Sequence, residues 1–187
     1  TIIFLSLGLI AWALGTLVWV GYYNLCSDVE VPYPSLADIG YVLALPLWGI
    51  GIVSLSKATG ARFGLRKKGG KAMLLIVPLV VIVLSYYLLV VVARGGFDFS
   101  DSNTLKILFD LAYPIGDVLI LTLATLVYGL SYKYFGGRFK LAIYLILAGF
   151  VVLYFADFSF SYATTLETFY NGNWIDFLFS AAMFILA

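Results

Sequence analysis

Tyr33-Pro34-Ser35-Leu36-Ala37-Asp38 stands between two long apolar runs, and the rest of the chain falls into order around it. Ser35-x-x-Asp38 has the spacing of a capping box, with a short acid in the glutamate role. Its side chains satisfy open N–H groups of a first turn, and the carboxylate meets the positive end of the helix dipole. The parts of this stretch recur. Tyr113-Pro114-Ile115-Gly116-Asp117 leads into a fourth apolar run, and Asn173-Trp174-Ile175-Asp176 leads into a sixth. Each places a carboxylate in the first turn of a helix entering an apolar medium, and Pro114 suits such a turn because its missing N–H is open there anyway.

Composition names the medium. Of 187 residues, 63% are hydrophobic and 11% charged, against roughly 25% charged in soluble domains. Mean hydropathy is +1.05. The fold class is therefore all-α: a polytopic transmembrane helix bundle with six spans, at 2–23, 36–55, 72–92, 114–130, 141–162 and 174–187. A bilayer crossing takes about 20 apolar residues. Residues 1–187 read as one transmembrane domain. Thr1 is not an initiator methionine and Ala187 lies inside an apolar run, so the chain is expected to be a piece of a longer protein.

Several chemistries drop out at once. The chain has no histidine, which removes His-ligated haem and zinc and any Ser–His or Cys–His pair. Cys26 is its single cysteine, so no internal disulfide or CxxC site exists. Net charge is +1, with no footprint for nucleic acid. No lysine lies mid-span to anchor a retinal, and no GxxxxGK[ST], GxSxG or HExxH motif is present. The expectation is a non-enzyme holding no metal and no cofactor, with the lipid bilayer as its first partner.

Charge is segregated along the chain. The connectors at 57–71 and 132–140 hold nine of the eleven basic residues and no acid. All ten acids lie in the other loops, at their helix ends, or in the outer part of run five. The positive-inside rule then puts both connectors and the amino terminus in the cytoplasm. Pro46 inside run two predicts a kink, since it removes a backbone hydrogen bond. Leu105, Leu108 and Leu111 share a face behind Ser102 and Asn103 as caps, which reads as a short interfacial helix before run four.

Runs one and two resemble runs five and six. Trp12-Ala13-Leu14-Gly15-Thr16-Leu17-Val18-Trp19 aligns with Leu153-Tyr154-Phe155-Ala156-Asp157-Phe158-Ser159-Phe160, and each is followed by an aromatic exit, a loop and a helix entry with an aspartate. This suggests repeat units 1–132 and 141–187, the second incomplete, within an eight-helix direct repeat.

The acids have two readings. Asp38, Asp117 and Asp176 are explained as helix-start residues, with Ser35 and Asn173 as caps. They also fit a carboxylate layer lining an outward-facing pocket. Asp157 is different. About 17 residues into run five, it lies roughly 26 Å from the cytoplasmic side. An ionisable residue at that depth needs a partner. Arg94, at the outer end of run three, is one candidate; a tyrosine hydroxyl, or snorkelling to interfacial water, are the others. The aromatic side chains read as lipid-facing belts and packing, with an aromatic ligand cavity as the alternative.

The succession Trp12-Ala-Leu-Gly…Trp19…Tyr22-Tyr23, Pro34-Ser35-Leu36-Ala37-Asp38-Ile39-Gly40-Tyr41, Tyr113-Pro114-Ile115-Gly116-Asp117, Ala156-Asp157 and Gly172-Asn173-Trp174-Ile175-Asp176 resembles a membrane region of prokaryotic signalling proteins. Similar amino-terminal multi-helix regions precede GGDEF/EAL diguanylate cyclase domains and sensor histidine kinases. The resemblance spans nearly the whole chain and departs at Thr16, where the family often carries an acid matching Asp157. It implies a membrane-embedded input or anchoring region in the prokaryotic cytoplasmic membrane, with a cytoplasmic output domain beyond the carboxyl end. The alternative function is a small-solute or ion transporter using Asp157 as a coupling site.

Overall fold

The computed structural model describes residues 1–26, 31–95, 104–134 and 140–187. Seven helices run in chain order: α1 (Ile2–Cys26), α2 (Leu36–Ala58), the single short turn α3 (Ala61–Leu65), α4 (Lys68–Val92), α5 (Thr104–Ser131), α6 (Lys140–Thr165) and α7 (Trp174–Leu186). There is no strand among the described residues. The last part of α1, Leu17–Cys26, and of α4, Tyr86–Val92, is wound as π-helix. In α1 the Asn24 side chain supports that winding, donating to the Trp19 carbonyl at 2.7 Å.

Five of these helices are long and apolar enough to cross a membrane. Their outward surfaces carry Leu75, Leu79 and Val83 of α4 and Ile2 and Leu14 of α1, with Leu75 75% exposed. Such faces suit hydrocarbon, where the helix satisfies its own backbone and side chains need no polar contact. The fold is a helical bundle of membrane type.

The core is built around α2. Its Ala44, Trp48 and Ile52 are essentially inaccessible and pack with Ile120 and Ala124 of α5, Phe150 of α6 and Leu5 and Ala11 of α1. Trp48 meets the Phe150 ring edge-on at 5.7 Å, and Trp12 joins the same stack at 5.7 Å from Trp48. Small residues let α1 and α2 touch backbone to backbone. A Cβ on Gly40 would stand 2.6 Å from the Ala11 carbonyl oxygen and 2.7 Å from the Gly15 nitrogen. In lipid, where apolar area supplies no drive between helices, this close packing carries association. Buried hydroxyls add cross-ties: Thr59 to Ser131 at 3.0 Å joins α2 to α5, and Tyr154 to Ser85 at 2.9 Å joins α6 to α4.

Three expectations change. The leucine-rich segment at 105–111 and the run expected at 114–130 are one continuous helix, α5, of 28 residues. Pro114 does not open it but lies buried inside it. One lost hydrogen bond costs less there than ending a helix and opening several backbone groups near lipid. The caps Ser102 and Asn103 fall outside the described residues. The sixth expected run, 174–187, is α7, whose 13 residues reach the end of the sequence. The basic connector at 57–71 also holds structure of its own, in α3 and the first turn of α4.

Candidate functional site

The sequence-selected acids Asp38, Asp117, Asp157 and Asp176 come from α2, α5, α6 and α7 and gather at one end of the bundle. Each is held differently.

Asp38 is 6% exposed and fully engaged. Its Oδ2 accepts the Ser35 backbone N–H at 2.6 Å and the Ser35 hydroxyl at 2.8 Å, closing the box that the Ser35-x-x-Asp38 spacing predicts. Its Oδ1 accepts a hydrogen bond from the Tyr113 hydroxyl of α5. The same carboxylate therefore caps α2 and ties it to α5. Tyr23 of α1 adds a weaker contact, its hydroxyl accepting the Leu36 N–H at 3.5 Å.

Asp176 repeats the device at the start of α7. Its Oδ2 accepts the Gly172 N–H at 2.5 Å, while Asn173 caps the helix, its Oδ1 accepting the Ile175 N–H at 2.8 Å. Asn171 donates to Asn24 at 2.7 Å, fastening this loop to the end of α1. Tyr41 lies between the two capped starts, with both Asp38 and Asp176 within electrostatic reach of its hydroxyl.

Asp117 does not occupy a first turn. It lies well over three turns beyond the start of α5, at about 3.6 residues per turn. Its side chain is 6% exposed and lies within electrostatic reach of that of Asp157 on α6. Arg94 is within electrostatic reach of both acids. Asp157 thus lies near a second carboxyl group on α5, with the Arg94 guanidinium acting on both. Among the described residues no three metal-ligating side chains cluster, here or elsewhere.

Two spaces flank this pair. A cavity of about 10 Å³ is lined by Asp117, Leu45, Ile120, Phe150, Leu153 and Tyr154, close to the smallest that holds one water. A larger crevice, about 350 Å³ and almost wholly apolar, opens between α2 and α5. Pro46, the expected kink, lines it with Gly49, Ala112 and Gly116, and Leu45 and Ile120 wall it off from the small cavity.

Tyr113 and Tyr41 are the residues that sequence reasoning missed. Tyr113 stood inside a quoted motif beside Pro114, and Tyr41 ended another, but nothing local said that either hydroxyl reaches a carboxylate on a different helix.

These features define the chain as a multi-pass helical membrane protein with a shared carboxyl–tyrosine layer at one end. No family model matches the chain, and no curated protein or solved structure is significantly similar to it.

Proposed function

We propose that this chain is the sensing or anchoring region of a prokaryotic signal-transduction protein, lying in the plasma membrane with its amino terminus in the cytoplasm. A ligand, lipid or membrane-state change at the carboxyl layer shifts helix packing, and the shift passes to an output domain beyond the carboxyl end. The reading assigns no catalytic step to these residues. The observation that carries it is the pairing of acids across helices: Asp38 with Tyr113 couples α2 to α5, and Asp117 with Asp157 couples α5 to α6. Each of these contacts joins neighbouring helices through a group whose charge or partner a stimulus can change. In the full-length protein, D38N and D117N should each shift the output activity at fixed protein level. Unchanged output from both would remove the basis of the proposal.

A transporter reading draws support from the nearness of the Asp117 and Asp157 carboxyl groups beside a water-sized cavity. Against it, the packed side chains of Trp48, Ile52, Ala124 and Phe150 fill the bundle core. Proton uptake into proteoliposomes that D117N abolishes would favour transport over sensing.

A further inference from the structure

The opposite end of the bundle carries a second surface. Lys57, Arg62, Arg66, Lys67, Lys68, Lys71, Lys133 and Lys140 are all exposed there, and the two connectors that supply them contain no acid. The fold brings these separate stretches together. In α3, Ala61 and Gly64 are buried, and Gly64 packs so tightly on the Leu130 carbonyl of α5 that a Cβ would collide with it. That seating turns Arg62 and Phe63 outward. The Phe63 ring lies 6.0 Å from that of Tyr134, joining the first connector to the second above the buried Thr59–Ser131 hydrogen bond.

The cations rest on this aromatic floor. The Arg62 and Arg66 guanidiniums lie 4.9 and 5.9 Å from the Phe63 ring centre, and the Lys67 ammonium 5.3 Å from that of Tyr134. Lys133 and Lys140 sit 5.5 Å over Tyr132 and Tyr144, rings that Tyr128 connects. Cation–π contacts orient the charges but neutralise none of them. Phe63 and Tyr134 remain 42% and 38% exposed, giving an apolar and basic face at the end of helices long and apolar enough to cross a membrane.

We propose that this face is a binding site for anionic glycerophospholipid headgroups. The phosphate sits between the Arg62/Arg66 pair and Lys67 or Lys133, and the glycerol and first acyl carbons rest on Phe63 and Tyr134. Clustered basic residues directly beside membrane spans attract anionic lipid in this way. Arginine offers the planar fork that phosphate accepts.

The test uses the full protein in neutral detergent, with thermal unfolding followed as phosphatidylglycerol, phosphatidylcholine or inorganic phosphate is added. Phosphatidylglycerol should raise the midpoint by about 5 °C when well above its dissociation constant. Salt at about 1 M, where screening acts within about 3 Å, should remove the rise. R62Q/R66Q should keep the basal midpoint and lose most of the rise, R62K/R66K should retain much of it, and K133Q/K140Q should weaken it from the other connector. An equal rise with phosphatidylcholine would overturn the proposal, as would its reproduction by inorganic phosphate or its persistence in both glutamine variants.

Discussion

At the residue scale, Asp38 shows how one carboxylate can be half legible. Its role at the start of α2 follows from the spacing Ser35-x-x-Asp38, because a capping box is a local device closed within one turn. Its bond to Tyr113 was not legible, since the two residues are 75 positions apart. The same division applies to Asp157, whose depth demanded a partner but whose partner depended on how α5 and α6 pack. The two halves of Asp38's role separate by mutation. Y113F removes the cross-helix bond and leaves the cap, and should cost about 1–2 kcal/mol. D38A removes both and should cost more, about 1 kcal/mol for the cap in addition. Thermal unfolding in detergent measures the order; equal losses from the two variants would mean that the cap contributes nothing beyond the tyrosine bond.

At the element scale, composition marked the helices well and their limits less well. Apolar runs of about 20 residues are hard to misread in a chain this hydrophobic. Pro114 misled because proline favours a first turn in any solvent, whereas lipid penalises ending a helix more than bending one. α3 was hidden because a five-residue helix that follows Gly60 and contains Gly64 has no periodicity to detect. The small-residue contact between α1 and α2, at Gly15 and Gly40, emerges only from the packing. G40A pushes a methyl group into the Ala11 carbonyl and the Gly15 backbone, so the helices must separate, at about 1–3 kcal/mol. Gly69, in the first turn of α4, has nothing within 4 Å of the same added atom. G69A should therefore be neutral or slightly stabilising, as alanine is the better helix former. Comparable melting losses for G40A and G69A would show that the α1–α2 contact does not set the packing.

At the scale of the whole molecule, the charge pattern and the fold agree on two ends. The Asp38, Asp117, Asp157 and Asp176 layer occupies one, and the cationic floor around Phe63 and Tyr134 the other, with the Trp48–Phe150 core between them. Counting charges was enough to separate these ends, because loops alternate sides each time the chain crosses. Counting could not bring 57–71 and 132–140 into one surface; that took the seating of Gly64 on Leu130. Which end faces the cytoplasm rests on the positive-inside rule, since moving many ammonium and guanidinium groups across a bilayer is costly. Cys26 makes this directly measurable. It is exposed, it ends α1 beside the Asn24–Asn171 bond, and it belongs to the acidic end. In intact cells a membrane-impermeant maleimide should label Cys26 without permeabilisation. In a C26S background, K133C at the basic end should label only after the membrane is opened. The reverse pattern would invert the molecule, putting the carboxyl layer in the cytoplasm and removing the outward-facing site on which the sensing proposal stands.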